Sequence, residues 1–161
     1  MKPILIVFYF CVAIVLANFM ASTAQAQTSD SVQQPLEESV KNKKTKWSLD
    51  RKNAKNKHVT YQWYDADKIV EVRIIETDSV EAAAAKLRQE QTKFNGGAST
   101  KLLDYGDEAY LYKARRSDAS TIILRQGKFF IYVGADRLRD AKEFVKDVCD
   151  LTKKQKITNT R

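Results

Sequence analysis

One histidine, two cysteines, two prolines and five glycines in 161 residues leave several kinds of chemistry without their usual side chains. His58 is alone, so the chain has no His pair for a metal and no base to activate a serine or cysteine nucleophile. No Walker loop, G-x-G-x-x-G or G-x-S-x-G occurs. Gly96-Gly97 reads as a helix stop rather than a phosphate cradle. Asp107 and Glu108 are neighbours that a strand would point to opposite faces, which makes them a poor acid/base pair. The expectation is a protein with no catalytic residue, no metal and no cofactor.

Long uncharged runs are also missing, with one exception at the start. Lys2 precedes an uncharged stretch from Pro3 to Ala24-Gln25-Ala26. A basic start, an apolar middle and an A-x-A site read as a signal peptide over 1–26, cut before Gln27, with export to the periplasm or the medium. The competing reading is an uncleaved signal anchor, because Ile4 to Met20 approaches the roughly 18 apolar residues of a membrane span. Cleavage removes Cys11 and leaves Cys149. A single exported thiol implies an intermolecular partner or a buried small hydrophobe. Its place four residues after Val145, on an apolar helical stripe, favours burial.

Without Lys2 the chain keeps 27 basic side chains against 20 acidic ones. Eight of them fall close together (Lys41, Lys43, Lys44, Lys46, Arg51, Lys52, Lys55 and Lys57), with Asp50 the one acid among them. Residues 27–57 are polar and basic and read as a flexible tether. Val32, Leu36 and Val40 recur at a spacing of four, but Pro35 interrupts them and the stripe is thin, so a short helix formed on docking is the lesser reading.

From His58 the period changes to two. Val59, Tyr61 and Trp63 alternate with polar residues, and after the Asp65–Lys68 turn Val70, Val72 and Ile74 do the same, predicting a hairpin. Asp78 is placed to cap a helix with Val80, Ala83, Ala84, Leu87 and Phe94 on one side, ended by Asn95-Gly96-Gly97. Strands follow over 108–115, 120–125 and 129–134, and Asp136 is placed to cap a last helix carrying Leu138, Ala141, Val145 and Val148. The order ββαβββα predicts an α+β domain over 58–153, two layers, an antiparallel sheet of about five strands with both helices on one face, and a tail over 154–161.

With both helices on one side, the other face of the sheet would be open. It would carry Gln62, Tyr64, Glu71, Arg73, Tyr110, Tyr112, Ile123 and Arg125, and Phe129 to Val133 is apolar on both sides. Tyr64, Tyr110, Tyr112, Arg125 and Tyr132 are the candidate binding face, since tyrosine offers flat apolar area with a polar tip and arginine pairs with anions or stacks on rings. The ordinary alternative is cross-strand pairing. The eight clustered cations are a second candidate, drawn to polyanions such as anionic lipid or lipopolysaccharide. The functional expectation is a non-enzymatic binding or accessory domain, with an envelope protein or an anionic surface as partner.

Gly106-Asp107-Glu108-Ala109-Tyr110 followed by Arg125-Gln126-Gly127 resembles a turn-strand pattern of small exported bacterial domains of unassigned function. The likeness covers about 102–133. It implies export and a structural turn, and places no catalytic residue.

Overall fold

Alternation at Val59/Tyr61/Trp63 and Val70/Val72/Ile74 sets the register of the central hairpin in the computed structural model, which describes residues 27–44, 46–94 and 99–158. Side chains are described for 35–44, 46–94 and 99–153, so the segment read as a signal peptide lies outside the described residues. The strands are β1 (Ser48–Lys55), β2 (His58–Asp65), β3 (Lys68–Glu76), β4 (Ser99–Leu102), β5 (Glu108–Lys113), β6 (Ser120–Gln126) and β7 (Phe129–Ala135). The helices are α1 (Gln27–Lys43), α2 (Val80–Lys93) and α3 (Leu138–Thr158). The α+β class holds, with seven strands and three helices among the described residues in place of five and two.

All neighbours pair antiparallel in the order β1-β2-β3-β7-β6-β5-β4. Three hairpins close through two-residue loops whose first residues, Asn56, Ala66 and Gly127, sit at φ of 54°, 56° and 55°. Left-handed backbone at this position matches the twist of the flanking strands.

The two unforeseen strands are the sheet's edges. β1 is polar and exposed along its whole length, and β4 has four residues, so neither carries an alternating apolar pattern. Charge on an exposed edge strand discourages pairing with other chains.

The tether reading is corrected by α1 and β1. Leu36 and Val40 are 0% and 1% exposed and join a core with Phe144, Val145, Val148 and Cys149 of α3. Trp47 meets Phe144 edge to face at 5.4 Å, and Phe144 lies 5.2 Å from Trp63, which stacks on Tyr61 at 4.9 Å. Burial against this aromatic group offsets the roughly 3 kcal/mol cost of a proline inside a helix. At the other end, α3 runs on to Thr158 through most of the expected tail.

Two buried clusters lie on alternate residues and therefore on opposite faces of the sheet. The larger has Val59, Tyr61, Trp63, Val70, Val72, Leu111, Ile122, Leu124, Ile131 and Val133 under α1 and α3. The smaller has Tyr112, Ile123 and Phe130 under Leu87 of α2. Both helices on one face is thus corrected to α2 alone on the second face, a three-layer arrangement.

The two caps are also reassigned. Ser79 Oγ, not Asp78, accepts from the Ala82 amide, while Asp78 pairs with Lys57 at 2.6 Å. Asp136 Oδ2 accepts from the Ile69 amide at 2.8 Å and ties the entry of α3 to β3 instead of capping the helix.

Candidate functional site

Alternation puts Glu71, Gly134, Thr121 and Tyr112 in one row across β3, β7, β6 and β5 on the second face. Phe94, which closes α2, stacks on Tyr112 with ring centroids 4.5 Å apart. The end of α2 therefore stands over the β5 end of the row, and beside it opens a groove of about 570 Å³. Tyr132, Gly134, Thr121 and Tyr112 line it with Phe94, and Glu71, Asp136, Lys93 and Lys113 supply charge along it.

Gly134 matters to its shape. A Cβ there would lie 2.8 Å from the Tyr132 hydroxyl, so the missing side chain lets the Tyr132 ring lie across its neighbour. The Arg73 guanidinium sits 4.6 Å from the centre of that ring and also bonds Glu71, which accepts from Gln62 Nε2 at 3.0 Å. The polar groups on this side hold one another and the ring in place.

The five candidate face residues do not form one open surface. Tyr112 is buried at 7% exposure under Phe94, and burial pushes its hydroxyl pKa up. Tyr110 packs in the same cluster and donates to Glu108 at 2.7 Å, and that bond first, then burial, raises its pKa. Tyr132 lines the groove, while Tyr64 lies opposite Ile69 on the side that α2 leaves uncovered. Arg125 is committed elsewhere. Its Nη1 donates to Asp107 Oδ2 at 2.8 Å, and the same oxygen accepts from the Gly127 amide at 2.7 Å.

That clasp brings together Gly106, Asp107, Arg125 and Gly127, the residues of the turn-strand pattern. The Asp107 amide donates to the Arg125 carbonyl at 2.8 Å, and a Cβ on Gly106, at φ +60°, would stand 2.5 Å from that carbonyl oxygen. These residues join the entry of β5 to the β6–β7 turn.

Among the eight clustered cations, Lys43 and Lys44 meet Asp147 and Glu143 of α3, Lys52 meets Glu37 of α1, and Lys57 meets Asp78. Lys44 also lies 5.2 Å from the Phe144 ring centre. Lys41, Lys46, Arg51 and Lys55 have no ion pair among the described residues.

Cys149 is 3% exposed, and burial pushes its thiol up to about 11, which keeps it protonated and unreactive. Among the described residues no three His, Cys, Asp or Glu are grouped to hold a metal, and no helix is long and apolar enough to cross a membrane.

Comparison of the chain with family models, with curated proteins and with solved structures finds no match to any of them.

The groove residues were partly legible. Tyr112 and Tyr132 stood among the aromatic candidates, but Gly134, Thr121 and Phe94 did not. The available signal was the run Ile122-Ile123-Leu124 together with Phe129 to Val133, since strands apolar on both sides are covered on both sides.

Proposed function

We propose that this is an exported, non-enzymatic binding or accessory protein that takes an amphipathic small ligand or an extended apolar segment in the groove beside α2. The observation that carries the reading is the cavity itself. Its volume falls within the usual range for small-ligand sites, and it combines aromatic walls with a few charged groups at its borders. Export rests on the basic, apolar and A-x-A pattern of 1–26.

The test is fluorescence titration with the neutral dye N-phenyl-1-naphthylamine, comparing the protein with Thr121→Trp, which places a large ring in the middle of the groove. Binding at micromolar concentration, weakened at least about tenfold by the substitution while the unfolding midpoint holds, supports the reading. Equal dye binding by both proteins sinks it. The mass of the exported product tests the compartment, with Gln27 as the expected first residue.

The second reading is an anionic-surface binder acting through 41–57. What favours it is the set of four cations in that stretch without an acidic partner among the described residues, although Lys43, Lys44, Lys52 and Lys57 are engaged within the fold.

A further inference from the structure

α2 covers only part of the second face: its contacts centre on β6 and β7, and its cluster reaches β5 at Tyr110 and Tyr112 and β3 only at Ile75. The same face of β1, β2 and β3 stays open on the far side of the Tyr132 ring. Register identifies what it presents. Arg51 lies opposite Gln62, Asn53 opposite Thr60 and Lys55 opposite His58, and Thr60 in turn lies opposite Arg73. Directly opposed residues in an antiparallel pair share a face. Two of the four cations without an acidic partner, Arg51 and Lys55, are therefore on this face, and Arg73 stands two strands in from them.

The acids nearby are engaged. Glu71 accepts from Gln62 and Arg73, and Asp65 holds Lys68 at 3.0 Å. Asp50, at the β1 bulge, and Asp67, in the β2–β3 loop, are the exposed exceptions, without an ion pair among the described residues. Arg73 is 46% exposed, and its guanidinium retains N–H donors beyond the bond to Glu71. Arg73 and Lys86 place positive charge beside His58, at the corner where this face meets α2. His58 is held below its ordinary pKa by burial first and then by the charges of Arg73 and Lys86.

We propose that the open second face of β1–β3 docks an acidic polysaccharide, with Arg51, Lys55 and Arg73 meeting its anionic groups and Asn53, Thr60, Gln62 and Tyr64 meeting its hydroxyls. The inference rests on the surface-binding reading and is independent of the groove. Charge complementarity selects an anionic partner, and the neighbours of the cations select its class. Amides and hydroxyls interleave with the charges, as sugar hydroxyls require. Ile69, 38% exposed, is the one large exposed apolar side chain on this part of the face, too little for insertion into a lipid surface. Single-stranded nucleic acid would want several aromatic platforms for successive bases, and this face offers Tyr64, the Tyr132 ring being covered by Arg73.

The experiment is fluorescence anisotropy of the purified protein with a labelled heparin octasaccharide over a salt series. It compares the protein with the charge-reversed pair Arg51→Glu/Lys55→Glu and with Lys41→Glu/Lys142→Glu. The second pair makes the same change in net charge on α1 and α3. The expected result is a loss of at least about tenfold in affinity for the first pair, with the salt slope reduced by about 2, and less than about twofold for the second. Equal losses in both pairs overturn the inference in favour of diffuse attraction to the basic chain. A larger loss in the second pair keeps an anionic-surface binder but moves its contact off this face. Absence of heparin binding by the unsubstituted protein removes both. Tighter binding of phosphatidylglycerol vesicles or of an oligothymidylate than of heparin, at matched charge, also overturns the assignment. Unchanged circular dichroism in both pairs establishes that they fold.

Discussion

The two faces of this sheet are built from the same strands, yet one is sealed and the other is not. On the first face α1 and α3 lie over strands whose inward residues are nearly all aliphatic or aromatic, and Trp63, Tyr61, Ile122 and Ile131 are at most 1% exposed. On the second face α2 covers Tyr112, Ile123 and Phe130, and beyond it lie Gln62, Glu71 and Arg73, where Glu71 accepts one bond from each of the other two. A single helix is about 10 Å wide, the spacing of two strands, so one helix cannot roof seven. The comparison separates a face that supplies stability from a face with room for a ligand.

The largest effect should come from the sealed side. Phe144→Ala removes a fully buried ring that touches Trp47 and Trp63 and should cost about 3–5 kcal/mol in urea unfolding. A cost under about 1 kcal/mol would mean that α3 does not hold the first face.

Leu36→Ala should follow at about 2–3 kcal/mol, because Leu36 is fully buried between α1 and the core. A flexible tether would give no change, so this substitution decides between an integral α1 and a loose one.

Gly134→Ala should cost about 1 kcal/mol or less, since the added methyl meets the far end of the Tyr132 side chain, which can swing away. Its main effect should be on the groove, seen as weakened dye binding. If Gly134→Ala destabilises as strongly as Leu36→Ala, the division of labour between the faces fails.

The smallest effect concerns pH. His58 has its pKa lowered in the fold, so the unfolded chain takes up the proton first. Its contribution is complete above the ordinary value near 6.5 and is lost as pH falls from there through the folded pKa. His58→Gln should flatten a shallow fall in the thermal midpoint between about pH 7.5 and about pH 5.5. An identical fall in both proteins would show that the fold does not lower the pKa of His58.

The central strands, the α2 helix and α3 were legible because each carries a full apolar period: 59/61/63 and 70/72/74 at two, and Val145 to Cys149 at a helical spacing. β1 and β4 were not, since an edge strand buries little and therefore carries no alternating pattern. α1 was read as a tether because three isolated apolar residues interrupted by a proline make a weak local signal. Leu36 and Val40 anchor a helix only once Trp47 and Phe144 are beside them. The tyrosines were rightly placed on the second face, and what hid Tyr110 and Tyr112 was the side of the sheet that α2 chose. The cap at Asp78 slipped by one residue to Ser79 because Asp and Ser are equally good N-cap residues, and the sequence does not say which of two neighbours takes the position.

By itself the sequence determined the α+β class and the strand alternation, because these are local or compositional properties. Only the tertiary structure decided that α1 joins the core, that α2 crosses to the second face, and that Gly134, Thr121, Tyr132 and Phe94 meet around one groove. The physical reason is distance along the chain. Period and composition act over a few residues, whereas a groove joining residues 71, 94, 112, 121 and 134 depends on sheet order and on which face each helix buries.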